Sequence, residues 1–227
     1  MEVAVYGHYG FALLLLPTAA ADYLEYERFQ LIQSISPQIN GGKVKVFSIN
    51  SINSESWLNP HMHPRHKAIR HAHFNEYVYR EVLPFIRTHT SHETPIYTCG
   101  ASLGALHSAN LFFRRPDLID GFIGLSGDYD LSTYTGGYHD EDVYFNSPVQ
   151  YLPNLDDDYH LPRIRQSRHI HIVTGSGAWE HPEASRRLAG ILHSKGIPHE
   201  LDIWDPDMPH DWPTWRDMLP YYLDSRF

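Results

Sequence analysis

The chain has 227 residues, 42% apolar and 20% charged, an ordinary globular balance that predicts one domain over 1–227. Its formal net charge of −9 argues against binding nucleic acid or an anionic membrane, both of which call for clustered Lys and Arg. Cys99 is the one cysteine, so an intrachain disulfide is excluded, and a reducing, cytoplasmic location is expected.

Glu2–Tyr6 and Phe11–Leu16 read as strands separated by Gly7 and Gly10, the second continuously apolar as a strand buried on both faces should be. Phe11–Leu16 followed by Ala19–Ala21 imitates a secretory leader. No Lys or Arg precedes it and the apolar run is short, so it is expected to stay in the fold. Nothing approaches the ~20 apolar residues of a membrane span. Asp22 and Glu25 form a D-x-x-E capping pattern ahead of Tyr26, Phe29, Ile32 and Ile35, which have helical spacing. Pro37–Gly42 ends that helix, and Lys43–Ile49 alternates like a strand.

Residues 51–63 form a loop rich in Ser, Asn, His and Pro. A long helix is expected over Pro64–His89, kinked or stopped early by Pro84. Strand Pro95–Cys99, helix Leu103–Arg114 and strand Gly121–Leu125 follow. Residues 127–168 are expected to be irregular and to sit over the active-site edge. Strand His169–Thr174, helix Pro182–Lys195, strand His199–Trp204 and helix Trp212–Leu223 come last. This alternation specifies a mainly parallel sheet with helices on both faces.

Gly100-Ala-Ser102-Leu-Gly104 matches G-x-S-x-G between a strand and a helix, the setting of a nucleophile elbow. Small residues at 100, 101, 104 and 105 permit the close strand–helix approach that such a turn needs. A glycine-rich turn with Ser102 as a helix cap is the alternative, and Cys99 is expected to be buried and inert. The backbone N–H of Leu103 would face a substrate oxyanion from the helix N-terminus.

A serine hydroxyl needs a neighbouring base. His210 stands between the last strand and the last helix, where this architecture places it. The orienting acid is expected after the next-to-last strand. Glu180, in Gly175-Ser-Gly-Ala-Trp-Glu180, is favoured over Glu183, Asp205 and Asp207. The second oxyanion donor is expected from Pro17-Thr-Ala-Ala-Ala21, with Ala19 preferred to Thr18 and Ala20, since Pro17 has no N–H.

Leu13–Ala19, Cys99–Ala105, Gly175–Glu180 and His210–Trp215 together resemble the esterase D-like family of α/β-hydrolases, a group that includes mycolyltransferases and feruloyl esterases. The resemblance implies an α/β-hydrolase fold, a Ser102–Glu180–His210 triad, and oxyanion N–H groups from Leu103 and Ala19. Pro17-Thr18 departs from the histidine-glycine or aspartate-glycine pair of many relatives, and the usual first strand is expected to be missing. No large insertion resembles a lid domain, which points to small esters rather than long lipids.

Five histidines fall within 61–73: His61, His63, His66, His71 and His73. Their spacing matches no zinc pattern, so they are expected to form a solvated helix face, and no metal or cofactor is predicted. His169 and His171 are expected on one face of a strand, and Asp156–Asp158 in an exposed turn. Trp57 sits in a loop after a strand and is a candidate substrate contact as much as ordinary packing. Trp179, Trp212 and Trp215 are expected to pack around the triad and exclude water. The expected partner is a small-molecule ester, with homo-oligomerisation left open. Ester hydrolysis is the leading reading. Acyl transfer by the same residues and a non-catalytic hydrolase-fold binding module are the competitors.

Overall fold

The computed structural model describes residues 2–227. Among the described residues seven strands form one sheet: β1 (Val3–Tyr6), β2 (Phe11–Leu16), β3 (Val44–Ile49), β4 (Ile96–Ala101), β5 (Gly121–Leu125), β6 (His169–Thr174) and β7 (Glu200–Ile203). Their order is β1-β3-β2-β4-β5-β6-β7, and only β1, paired with β3, runs antiparallel.

β2 shows why the apolar run at Phe11–Leu16 belongs inside. Successive side chains on a strand point to opposite faces. Ala12, Leu14 and Leu16 enter one core layer, with the helices that follow β3, β4 and β6. Leu13 and Leu15 enter the other, with the turns at 25–40 and the last helix. Each fully buried leucine contributes roughly 1.5–3 kcal/mol of transfer free energy. The leader-like segment is therefore an interior strand of the sheet, paired on both edges.

The chain leaves β2 toward β3 on one side and returns to β4 on the other. That reversal makes the gap between the carboxyl ends of β2 and β4 a topological switch point, where open α/β sheets take their ligands. Residues 17–21 and Ser102 emerge at that gap.

Three stretches differ from the sequence expectation. After Asp22 there are three short helical pieces, Glu25–Arg28, Leu31–Ser34 and Ser36–Asn40, interrupted by Gln30 in the left-handed region (φ 65°). The long helix Pro64–Tyr77 passes through a π-helical turn, Val78–Val82, into Leu83–His89. Pro84 has no N–H for the next carbonyl ladder step, and a π-turn is a common way to absorb that break. Residues 127–168 are not wholly irregular: they hold short helices at Ser132–Thr135, Glu141–Tyr144, Pro148–Tyr151 and His160–Gln166. No helix among the described residues is long and apolar enough to cross a membrane.

Candidate active site

Ser102 occupies the sharp corner between β4 and the helix Leu103–Arg114, hereafter the elbow helix, with φ 56° and ψ −123°. A non-glycine residue held there stores roughly 1–3 kcal/mol of backbone strain, which the surrounding structure must offset. Its N–H donates to the Leu125 carbonyl at 2.9 Å, tying the corner to the end of β5. Its hydroxyl makes no cap hydrogen bond to the helix it precedes. That removes the capping alternative. Cys99 is fully buried, and burial pushes its thiol pKa up, as an inert core residue requires.

Close approach explains the glycines of the motif. A Cβ on Gly104 would stand 2.3 Å from the Leu16 carbonyl oxygen, and one on Gly100 would stand 2.4 Å from the backbone of Gly104. The elbow helix therefore lies against the end of β2 where the loop 17–21 begins. Gly104→Ala is expected to cost at least about 1–3 kcal/mol through overpacking. A lowered urea midpoint at unchanged slope would report this, and an unchanged midpoint would contradict it.

Glu180 and His210 come together across two loops. His210 Nδ1 lies 3.3 Å from Glu180 Oε2, and the glutamate side chain is 1% exposed. The loops meet through backbone: the His210 N–H donates to the Ala178 carbonyl at 2.9 Å, and the Gly177 N–H donates to the Met208 carbonyl at 3.0 Å. A Cβ at Gly175 would fall 2.1 Å from that same Met208 oxygen, so only glycine lets the loops seat.

The carboxylate collects three further donors. Ser126 Oγ donates to Oε1 at 2.5 Å, Thr174 Oγ1 donates to Oε2 at 3.0 Å, and the Gly175 N–H donates to Oε1 at 3.2 Å. Burial acts to raise the Glu180 pKa. The hydrogen bonds from His210, Ser126 and Thr174 outweigh it and hold the group below the usual carboxylate range. Glu183 is three-quarters exposed and pairs with Arg186, while Asp205 and Asp207 are exposed, so Glu180 is the carboxylate that meets His210.

Ser126 was not singled out by sequence. It sits after β5 in a left-handed conformation (φ 51°) and links acid to core, because the Trp215 indole N–H donates to its hydroxyl at 2.9 Å. The Trp215 ring also stands edge-on to His210, with centroids 5.2 Å apart. Trp212 stacks on Phe29 at 4.5 Å. Trp179, by contrast, is 92% exposed, so it excludes no water from the Glu180–His210 pair.

The loop after β2 answers which of its N–H groups is available. Thr18 is committed: its N–H donates to Glu25 Oε2 at 2.8 Å and its hydroxyl to Glu25 Oε1 at 2.7 Å. Glu25 does not close a capping box with Asp22. It turns inward to hold this loop, and burial raises its pKa despite the Thr18 bonds. Ala19 and Ala20 remain as donors, both on the exposed surface of the loop.

Trp57 is 2% exposed, and its indole N–H donates to His71 Nδ1 at 2.9 Å. It has no surface to offer a substrate, so packing is its role. Four of the five histidines in 61–73 are exposed as expected, but His71 is fully buried.

No family model matches the sequence and no curated protein matches it. Solved structures do. A ferulic acid esterase superposes with a TM-score of 0.68 at 16% identity, over 96% of this chain and 83% of its own. An S-formylglutathione hydrolase from Staphylococcus aureus gives 0.69 at 16%, over 96% and 81%. Mycobacterium tuberculosis MPT51 gives 0.65 at 14%, over 98% and 90%. The chain has the α/β-hydrolase fold. Within that fold the strained Ser102, the Glu180–His210 pair and the loop after β2 all stand at the carboxyl edge of the sheet. The hydroxyl of Ser102 makes no hydrogen bond among the described residues. Bonds from such a serine to its histidine commonly tighten only once substrate is engaged.

Proposed function

We propose that the protein hydrolyses small carboxylic esters through an acyl-serine intermediate. The observation that carries this reading is the pairing of half-buried His210 with the buried Glu180 carboxylate at the sheet edge that also holds Ser102 on a strained corner with its hydroxyl uncommitted to the helix. The esterases among the solved structures of the same fold support it.

In this reading Ser102 Oγ attacks the ester carbonyl while His210 takes its proton. The proton then passes to the departing alcohol. Water, deprotonated by the same imidazole, attacks the acyl-serine, releases the acid and restores the serine. Glu180 orients the ring and stabilises its charged form. The N–H groups of Leu103 and Ala19 hold the oxyanion. No step calls for a metal or a cofactor. Among the described residues no large lid is inserted into the fold, which favours small, accessible acyl groups.

A p-nitrophenyl ester series tests this. Acetate and butyrate are expected to turn over, with kcat/KM falling steeply toward the palmitate. Absence of turnover across the series would overturn the reading. Added alcohol that captures most of the acyl group as a new ester would shift it to acyl transfer.

A further inference from the structure

Behind the loop after β2 runs a buried line of polar side chains that the proposed chemistry does not use. Trp57 donates to His71 Nδ1 at 2.9 Å, and His71 Nε2 lies 3.0 Å from His107 Nδ1. His107 Nε2 lies 2.8 Å from Asn53 Oδ1, and Asn53 Nδ2 donates to the Ala19 carbonyl at 3.0 Å. None of these four side chains is more than 3% exposed.

The direction of every bond in the line follows from its first member. An indole nitrogen can only donate, so His71 Nδ1 accepts, and in a neutral ring the hydrogen is then on Nε2. His107 Nδ1 must accept in turn, and its Nε2–H donates to Asn53. The amide nitrogen of Asn53 is left to donate to Ala19. Burial keeps both rings neutral. It pushes the His107 pKa down to about 4 and that of His71 well below the usual histidine range, with His107 lowering His71 further.

We propose that Trp57, His71, His107 and Asn53 form a one-way hydrogen-bond line that positions the oxyanion loop against the elbow helix. His107 stands one turn beyond Leu103 in that helix, so the line joins the element carrying one oxyanion donor to the loop carrying the other. Trp57 shares a buried cluster with Leu103 and Leu106. On the far side of Ala19, Glu25 holds the Thr18 N–H. The peptide bearing the Ala19 N–H therefore lies between two anchored peptides, Pro17–Thr18 and Ala19–Ala20. A donor fixed in advance pays no reorganisation cost when charge develops on the carbonyl oxygen. The four are positioning residues, and the proposal rests on the Ser102 hydrolase reading.

Two measurements test it. Long-range 1H–15N correlation on histidine-labelled full-length protein at pH 7 is expected to show His71 and His107 neutral, each with hydrogen on Nε2. A protonated ring, or hydrogen on Nδ1 of either, overturns the line whatever the activity.

The second uses kinetics with p-nitrophenyl acetate, normalised to phosphonate-titratable sites. Asn53→Asp keeps the shape and the acceptor for His107 but has no donor for Ala19. Its kcat is expected to fall about 10–100-fold, with KM within about twofold, because a displaced donor is missed mainly in the transition state. His107→Gln, whose amide carries one acceptor and one donor, is expected to recover most of what His107→Leu loses. A wild-type kcat in Asn53→Asp, a loss confined to KM, or equal losses in the two His107 variants each overturn the proposal. If Asn53→Asp does not fold, the His107 pair decides. Wild-type protein without Ser102-dependent turnover would sink the hydrolase reading instead, while the spectrum still reports on the line.

Discussion

Ser102→Ala is expected to lower kcat for p-nitrophenyl acetate by on the order of 10⁴–10⁶-fold while leaving the fold intact. Removing the nucleophile of such a unit leaves only binding and oxyanion stabilisation, which accounts for the size of the loss. Stability should hardly move. The hydroxyl makes no cap hydrogen bond, and alanine at φ 56° carries the same backbone strain as serine, so a change within about 0.5 kcal/mol is expected. Stopped assays at high enzyme concentration, beside urea melts of both proteins, check this. Equal turnover by the two would favour a hydrolase fold kept for binding.

Glu180→Gln is expected to lower kcat by about 10⁴-fold, since a carboxamide cannot hold the imidazole in the tautomer that accepts the serine proton. It should also destabilise the protein at neutral pH by roughly 1–3 kcal/mol. Ser126, Thr174 and Gly175 all aim donors at the carboxylate, and an amide nitrogen would meet one of them donor to donor. The pH dependence gives a second signature. Glu180 has a lowered pKa in the folded state, so its contribution is complete above the unfolded glutamate pKa of about 4.3 and is lost as pH falls through the lower folded value. The stability gap between wild type and Glu180→Gln should therefore narrow as pH drops below about 4. A gap constant from pH 7 to pH 3 would contradict the assignment.

The elbow was legible because close approach of strand and helix demands small residues that are adjacent in sequence. Gly100, Ala101, Gly104 and Ala105 could be read directly. Glu180 and His210 were legible from position, since strand–helix alternation fixes which loops share the sheet edge. What escaped is set by tertiary partners. Glu25 follows Asp22 at capping distance and reads as a cap, but its carboxylate serves a loop seven residues earlier. Ser126 is one serine among many, and only its left-handed backbone and its bonds to Glu180 and Trp215 mark it. His71 did carry a usable signal. It lies three residues from both Ala68 and Phe74, on the buried face of its helix. A run of five histidines hid that 3.6-residue periodicity. The burial of Trp57 was hidden with it, because the partner for its indole N–H is His71.

In the proposed mechanism His210 activates the hydroxyl of Ser102, and covalent phosphonylation reads that activation directly. Treated with a fluorophosphonate and mapped by peptide mass spectrometry, the wild-type chain should carry a single adduct on Ser102. The labelling rate should fall by at least about 10³-fold in His210→Gln. An adduct on another residue, or equal labelling rates in the two proteins, would contradict the account.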